Sequence, residues 1–189
     1  MSIIVTQTLK ASQVPAIVAL DEICLGGIWT AQGYQREIDS PNSTLLILNS
    51  LDRQTTENPK MIGMACLWSI VEEAHITLLA VHPDYRQEGF GTLLLLCLLQ
   101  DAIARNLAWA TLEVKNDNKK AINLYQKFGF EVAGTRKKYY KSNDDALILW
   151  LKKLQNVEFK IALTQWQQDL EVRLSNNNYR WCQSQSHQF

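Results

Sequence analysis

The sequence predicts a mixed α/β fold: a central, mostly antiparallel twisted sheet with one β-α-β crossover and flanking helices. Three observations predict it. Runs rich in Val, Ile and Leu follow one another from Ser43 to Val81, and the short "VEEA" turn makes the last two antiparallel neighbours. A leucine-rich helical stretch, Thr92 to Arg105, then stands between "HITLLAV" and "WATLEV", the pattern of two parallel strands joined through a helix. The chain has 189 residues, 47% of them apolar, enough for one substantial core.

The elements follow in order. "IIVTQTL" reads as a strand, "SQVPAIVALDEIC" as a helix, and "TAQGYQREI" as a second, shorter helix after a Gly-Gly break. "STLLIL" and "KMIGMACLWSI" are strands separated by the polar stretch Asn49 to Pro59. After the crossover, "NKKAINLYQKF" is a helix stopped at Gly129, and "FEVAGT" and "DALILWL" complete the sheet around a tyrosine-bearing turn. This makes residues 1–154 one domain and 155–189 a C-terminal extension. In the extension, Phe159, Leu163, Trp166, Leu170 and Leu174 fall at helical spacing, so an amphipathic helix is expected over 156–174. Its stripe is expected to dock on the parent domain, with a partner-binding helix as the alternative. The polar residues 175–189 are expected to fray.

Composition narrows the function classes. Formal net charge is zero with both signs mixed, which gives no footprint for nucleic acid or an anionic membrane. The apolar run Leu93 to Leu99 is too short to span a bilayer, and "MSIIVTQTLK" lacks a basic leader, so a cytoplasmic, monomeric protein is expected. Cys24, Cys66, Cys97 and Cys182 are scattered without metal or redox spacing, and no metal is expected. Three of them sit in apolar settings and read as reduced core residues.

"HPDYRQEGFGTLLLLCLL" carries Gly89 and Gly91 in a polar loop that runs into the leucine-rich helix. Successive amides there can face into a concavity, and the helix start adds partial positive charge, which suits a phosphate or diphosphate. A tight turn is the plainer reading. A nucleoside-triphosphate loop would want Gly-Lys-Ser/Thr, which is missing. A dinucleotide fingerprint would accept Gly89-Phe90-Gly91 and an acid near Glu113, but Leu94 fills its third glycine position, and the preceding strand belongs to an antiparallel meander.

Arg86-x-x-Gly89-x-Gly91, Glu113 in "LEV", and Asn118-x-x-Ala121-Ile122-x-Leu124-Tyr125-x-x-x-Gly129-Phe130 together resemble the GNAT superfamily of acetyl-CoA-dependent N-acetyltransferases. More narrowly, "LAVHPDYRQEGFGTLLL", "LEVKNDNKKAINLYQKFGF" and "RKKYY" resemble its branch that acetylates the N-terminal alanine of a small-subunit ribosomal protein. The likeness is dense from His75 to Tyr140, thin before Thr44, and stops short of the extension. It implies the GNAT acyl-CoA N-acyltransferase fold and acetyl-CoA as co-substrate. It implies that the backbone of Leu79, Ala80 and Val81 pairs with the pantetheine arm, and that Gln87, Glu88, Gly89, Phe90, Gly91 and Thr92 supply amides to the diphosphate. Asn118 would contact the coenzyme, Glu113 would be the general base and Tyr125 the general acid. The acceptor peptide would lie between "GGIWTAQGY", with Trp29 and Tyr34, and "KKYYKSN", with Tyr139 and Tyr140.

Elementary acid–base chemistry fits these roles. An α-amine with a pKa near 8 is about a tenth neutral at neutral pH, whereas lysine at about 10.4 costs on the order of 3 kcal/mol more to deprotonate. A carboxylate, directly or through water, therefore suffices for an N-terminus. A tyrosine still holds its proton at neutral pH, where a carboxylic acid has lost its own, and Tyr125 is expected to hand it to the departing thiolate. Each residue also has a plain reading: Glu113 as a strand-end ion pair, Tyr125 as core packing, Asn118 as a helix cap, and the four aromatics as core. Lysine side chains or small amines are alternative acceptors, and a catalytically silent acyl-CoA-binding module is the alternative of another class. Cys66 and Cys97 read as core residues not beside a base, which speaks against an acyl-enzyme. His75 and His82 flank the cofactor strand at expected solvated or edge positions. Two departures stand out: Gln87 and Glu88 occupy a loop where a second base is usual, with Lys119 or Lys120 as possible compensation, and the Tyr140 turn is short and lacks a proline.

Overall fold

In the computed structural model, which describes residues 1–51, 59–140 and 143–183, an eight-stranded mixed sheet carries helices on both faces. Strands β1 (Ser2–Thr8), β2 (Ser43–Leu51), β3 (Lys60–Ile70) and β4 (Glu73–Val81) are joined by antiparallel pairings. Strand β5 (Trp109–Lys115) lies parallel to β4, and β7 (Ala146–Leu151) and β6 (Glu131–Arg136) extend that side. The order across the sheet is β6-β7-β5-β4-β3-β2-β1-β8, where β8 (Tyr179–Gln183) pairs parallel to β1.

Helices α1 (Val14–Leu25) and α2 (Ala31–Asp39) cover one face. Their cluster holds Ile17, Leu20 and Tyr34 against Ile47, Met64, Leu78 and Ala80. The buried Asp21 carboxylate accepts from the Ile28 and Trp29 amides at 3.2 and 2.9 Å, which fixes the loop between the two helices. On the other face lie α3 (Phe90–Ala104), α4 (Lys119–Lys127) and α5 (Val157–Asn176). Helix α3 is apolar nearly all round and buries every residue from Leu93 to Leu99. Such a helix needs cover on both sides. The sheet supplies one and α5 the other, with Leu163, Leu170 and Leu174 buried and Gln100 Nε2 donating to Gln167 Oε1 at 2.8 Å.

The fold class and the order of elements agree with the sequence reading. The expected fraying fails over Tyr179–Gln183. That segment gains a row of main-chain hydrogen bonds by adding to the exposed edge of β1, and Trp181 Nε1 donates to Thr6 Oγ1 at 3.0 Å. Ser175 and Asn176, also expected to fray, complete α5, while residues 184–189 lie outside the described residues, as do most of the polar stretch before Pro59 and part of the tyrosine turn.

Candidate active site

The site opens where β4 and β5 part company. Their pairing runs from Glu73↔Trp109 to Ile76↔Leu112 and stops. The next residue on β4 is Thr77, which has no opposite on β3 because Leu67 pairs Ile76 and Cys66 pairs Leu78. This bulge reverses the strand's facing: Ala74 and Ile76 belong to the α3 cluster, whereas Leu78 and Ala80 belong to the α1–α2 cluster. Beyond it, Leu78 to Val81 keep β3 on one side and, among the described residues, have no strand on the other. Such an edge can accept an extended ligand as an added strand. The Val81 carbonyl is already engaged, since Arg86 Nε donates to it at 3.1 Å.

The next residue on β5 is Glu113. Alternate β5 residues Ala110, Leu112 and Val114 are buried among the α3–α5 cluster, so Glu113 faces the opposite side. Its side chain is 11% exposed, with Oε1 at 3.2 Å from Arg136 Nη1 and Oε2 at 3.4 Å from His75 Nε2. Thr111 Oγ1 donates to Glu73 Oε1 and therefore accepts from His75 Nδ1 at 2.8 Å. That leaves Nε2 as the imidazole edge turned to Glu113. The expectation of a solvated or edge position for His75 is corrected: it lies on an interior strand, with a side chain only 23% exposed. Its role was legible only once β4 and β5 were paired, because register puts it across from Thr111.

Tyr125 comes from the other face. Its ring packs edge-on against Phe130 at 5.7 Å, and burial, with Tyr140 nearby, pushes its phenol above the ordinary range. Tyr140 interacts electrostatically with both Tyr125 and Glu113, and burial pushes its phenol up to about 12. Tyr140 is thus the electrostatic neighbour that Tyr125 and Glu113 share. The raised phenol amends the expected proton hand-off. A phenol is a weaker acid than a thiol of about 8.5, so full transfer would be uphill, and what such a phenol can offer is a hydrogen bond to developing negative charge.

The loop before α3 has the shape its glycines suggest. Gln87 and Gly89 have φ of +71° and +102°, and the N-cap position of α3 is Gly89, which has no side chain to cap the first amides. A Cβ on Gly91 would meet only Leu124 at 3.5 Å and Leu79 at 3.9 Å, so Gly91 is not demanded by the fold itself. Asn118 caps α4 by accepting from the Ala121 amide at 3.2 Å. Lys119 Nζ donates to the Asn116 carbonyl, so that amine is engaged locally.

The aromatic expectations divide. Tyr34 is withdrawn as a peptide wall: it is fully buried, its hydroxyl lies 3.8 Å from Met64 Sδ, and its phenol is pushed far up by burial. Trp29 packs on Tyr34 edge-on and lies parallel to Trp68 with ring centres 6.4 Å apart. Trp68, which sequence reasoning missed, is 37% exposed, pairs in register with His75 and donates through Nε1 to Glu37 at 2.7 Å. Tyr139 is exposed beneath the Arg136 guanidinium, and Lys115 is bonded to Asp144 beside Tyr140. Cys66 is also corrected. It lies 3.9 Å from Glu37 Oε2, yet burial pushes its thiol up to about 11, and that of Cys97 up to about 12, so both stay protonated. Among the described residues, no cluster could hold a metal ion and no helix is long and apolar enough to cross a membrane.

A splayed parallel pair followed by a glycine loop and helix is the setting in which the comparisons with known proteins can be weighed. The model of the Acetyltransferase (GNAT) family matches residues 14–130. The chain belongs to this family. Among GNAT relatives, it is similar to the ribosomal protein bS18-alanine N-acetyltransferase of Escherichia coli K12, 38% identical over 104 residues, 53% of this chain and 70% of that one. The Salmonella typhimurium enzyme of the same name is 33% identical over 104 residues, with the same shares. In three dimensions the chain is similar to the crystal structure of the ribosomal-protein-S18-alanine N-acetyltransferase from Escherichia coli, with a TM-score of 0.68 and 28% identity, covering 81% of this chain and 94% of that one. The GNAT match ends at Phe130, so α5 and β8 lie outside it.

Proposed function

We propose that this protein transfers the acetyl group of acetyl-CoA to the N-terminal α-amine of a protein, that of alanine in ribosomal protein bS18 being the best-supported acceptor. The observation that carries the reading is the coincidence of three things at one point of the sheet. The β4–β5 ladder ends, β4 offers a free main-chain edge, and the first β5 residue past the break is a carboxylate. The named activity of the bS18-alanine relatives supports the choice of acceptor.

The chain fits the co-substrate on its own features. Leu79 and Ala80 offer main-chain groups along the open edge, and the uncapped amides of Gly89 to Thr92, with positive φ at Gln87 and Gly89, form a cradle for a diphosphate. Acetyl-CoA brings the activated acyl group as a thioester. Glu113 accepts a proton from the acceptor amine, directly or through one water, and Arg136 holds the carboxylate in place, with the His75 ring on its other side. Tyr125 keeps its proton and offers a hydrogen bond where sulfur charge grows. Cys66 and Cys97 take no covalent part. Trp68 packs on His75 and Tyr139 lies under Arg136, the two groups beside Glu113, with Trp29 parallel to Trp68.

The test is a peptide panel with acetyl-CoA read by mass spectrometry: an alanine-starting bS18 peptide, the same peptide with its N-terminus blocked, and one offering only an internal lysine. Product on the first alone is expected. Acetylation of the blocked peptide would overturn the N-terminal reading in favour of lysine.

A further inference from the structure

The phosphate loop does not stand alone. The C-terminal segment, α5 with its cap and β8, lies outside the family match and reaches it at four consecutive residues. Arg173 Nη2 donates to the Gln87 carbonyl at 2.6 Å, and Asn177 Nδ2 donates to Glu88 Oε2 at 3.0 Å. A Cβ on Gly89 would sit 3.1 Å from Leu170 Cδ1 and 3.8 Å from Arg173 Nε, so α5 lies directly against that glycine. Phe90 meets Tyr179 edge-on at 5.0 Å.

Two physical problems of the loop are answered by these contacts. Gln87 is a non-glycine residue in the left-handed region, a conformation that persists only where its surroundings hold it. Arg173 holds it, by a charge-assisted bond to its carbonyl. Glu88 puts a carboxylate into a loop that reads as a diphosphate cradle, where like charge repels. Asn177 tethers that carboxylate toward the C-terminal cap of α5, and burial, with the same charge nearby, raises the Tyr179 phenol, so Glu88 faces α5 and β8. Lys119, one of the two basic residues expected to compensate, is bonded elsewhere.

We propose that α5 is a built-in part of the coenzyme site, with Arg173 and Asn177 as positioning residues. Arg173 sets the backbone of the loop, and Asn177 keeps the Glu88 charge off the diphosphate. This rests on the reading of residues 87–92 as the diphosphate cradle. Neither residue touches the reacting atoms, so their loss acts on coenzyme affinity and leaves turnover at saturation near that of the parent.

The experiment is calorimetric titration of the full chain with coenzyme A at low and at physiological salt, with thermal unfolding of each variant alongside. Asn177→Ala is expected to bind about tenfold more weakly, with the loss shrinking as salt screens the freed carboxylate. Adding Glu88→Gln to Asn177→Ala is expected to recover affinity to within about twofold of the parent, although the bond to residue 177 is still missing. Arg173→Ala is expected to weaken binding about tenfold, and Arg173→Lys to recover part of it. If Asn177→Ala binds like the parent, or if Glu88→Gln fails to rescue it, the role of α5 is overturned. A parent chain that takes up no coenzyme A overturns the cradle reading itself, a distinguishable result.

Discussion

The two halves of β4 have the same neighbours in sequence and opposite fates. From Glu73 to Ile76 the strand is paired on both sides, and what it contributes is a side chain, His75, aimed at Glu113. From Leu78 to Val81 it is paired on one side only, and what it contributes is main chain. One extra residue, Thr77, separates them. The difference teaches that a single bulge converts a framework strand into an open edge, and under the proposed function it divides chemistry and coenzyme capture between side chain and main chain.

That division can be attacked from each side. The largest effect is expected in the chemical half. Glu113→Gln should lower kcat/KM by about 10²–10⁴, and Tyr125→Phe should also collapse turnover, while calorimetry finds coenzyme affinity unchanged in both. If Tyr125→Phe leaves acetylation intact, the phenol has no part in the chemistry. Next comes the main-chain half. Gly91→Ala should weaken coenzyme binding about tenfold or more with an unmoved Tm, because the new methyl meets only ordinary contacts inside the protein but fills the ligand's approach. Gly89→Ala should cost about 1–2 kcal/mol and lower Tm by about 4 °C, since its φ of +102° strains any side chain.

A smaller effect should sharpen the boundary. Trp68→Ala removes the ring that lies parallel to Trp29 and donates to Glu37. It is expected to raise KM for the acceptor peptide several-fold and leave coenzyme affinity alone. A change in coenzyme affinity would place Trp68 in the wrong half. The smallest effect concerns Cys66. Its ordinary thiol value is 9.0, raised by burial to about 11 in the fold. The unfolded chain therefore loses this proton first, and stability should decline as pH rises from about 9 toward 11, more steeply than in Cys66→Ala. Denaturant titrations at pH 8 and 10 measure it.

Much of this was readable from residues in a row. The glycine loop, the leucine helix behind it and the Asn118 cap are local, because left-handed turns, helical periodicity and capping need only neighbours within a few positions. Glu113 and Tyr125 were legible as a spacing. The errors were all long-range. Tyr34 looked like a peptide wall and proved to be core, because its α2 position faces Met64 rather than the cleft. His75 looked peripheral until β5 came to lie beside it. The strand Tyr179–Gln183 was read as a frayed tail, because nothing in a polar segment announces that an edge of β1 is free to receive it.

The sequence by itself determined the mixed α/β class, the order of elements and the glycine loop before α3, since each depends on periodicity or on backbone freedom at named glycines. Only the tertiary structure decided where β4 and β5 separate, which groups flank Glu113 and what α5 covers. Those outcomes depend on strand register and on packing between segments far apart in the chain, and no local pattern encodes either.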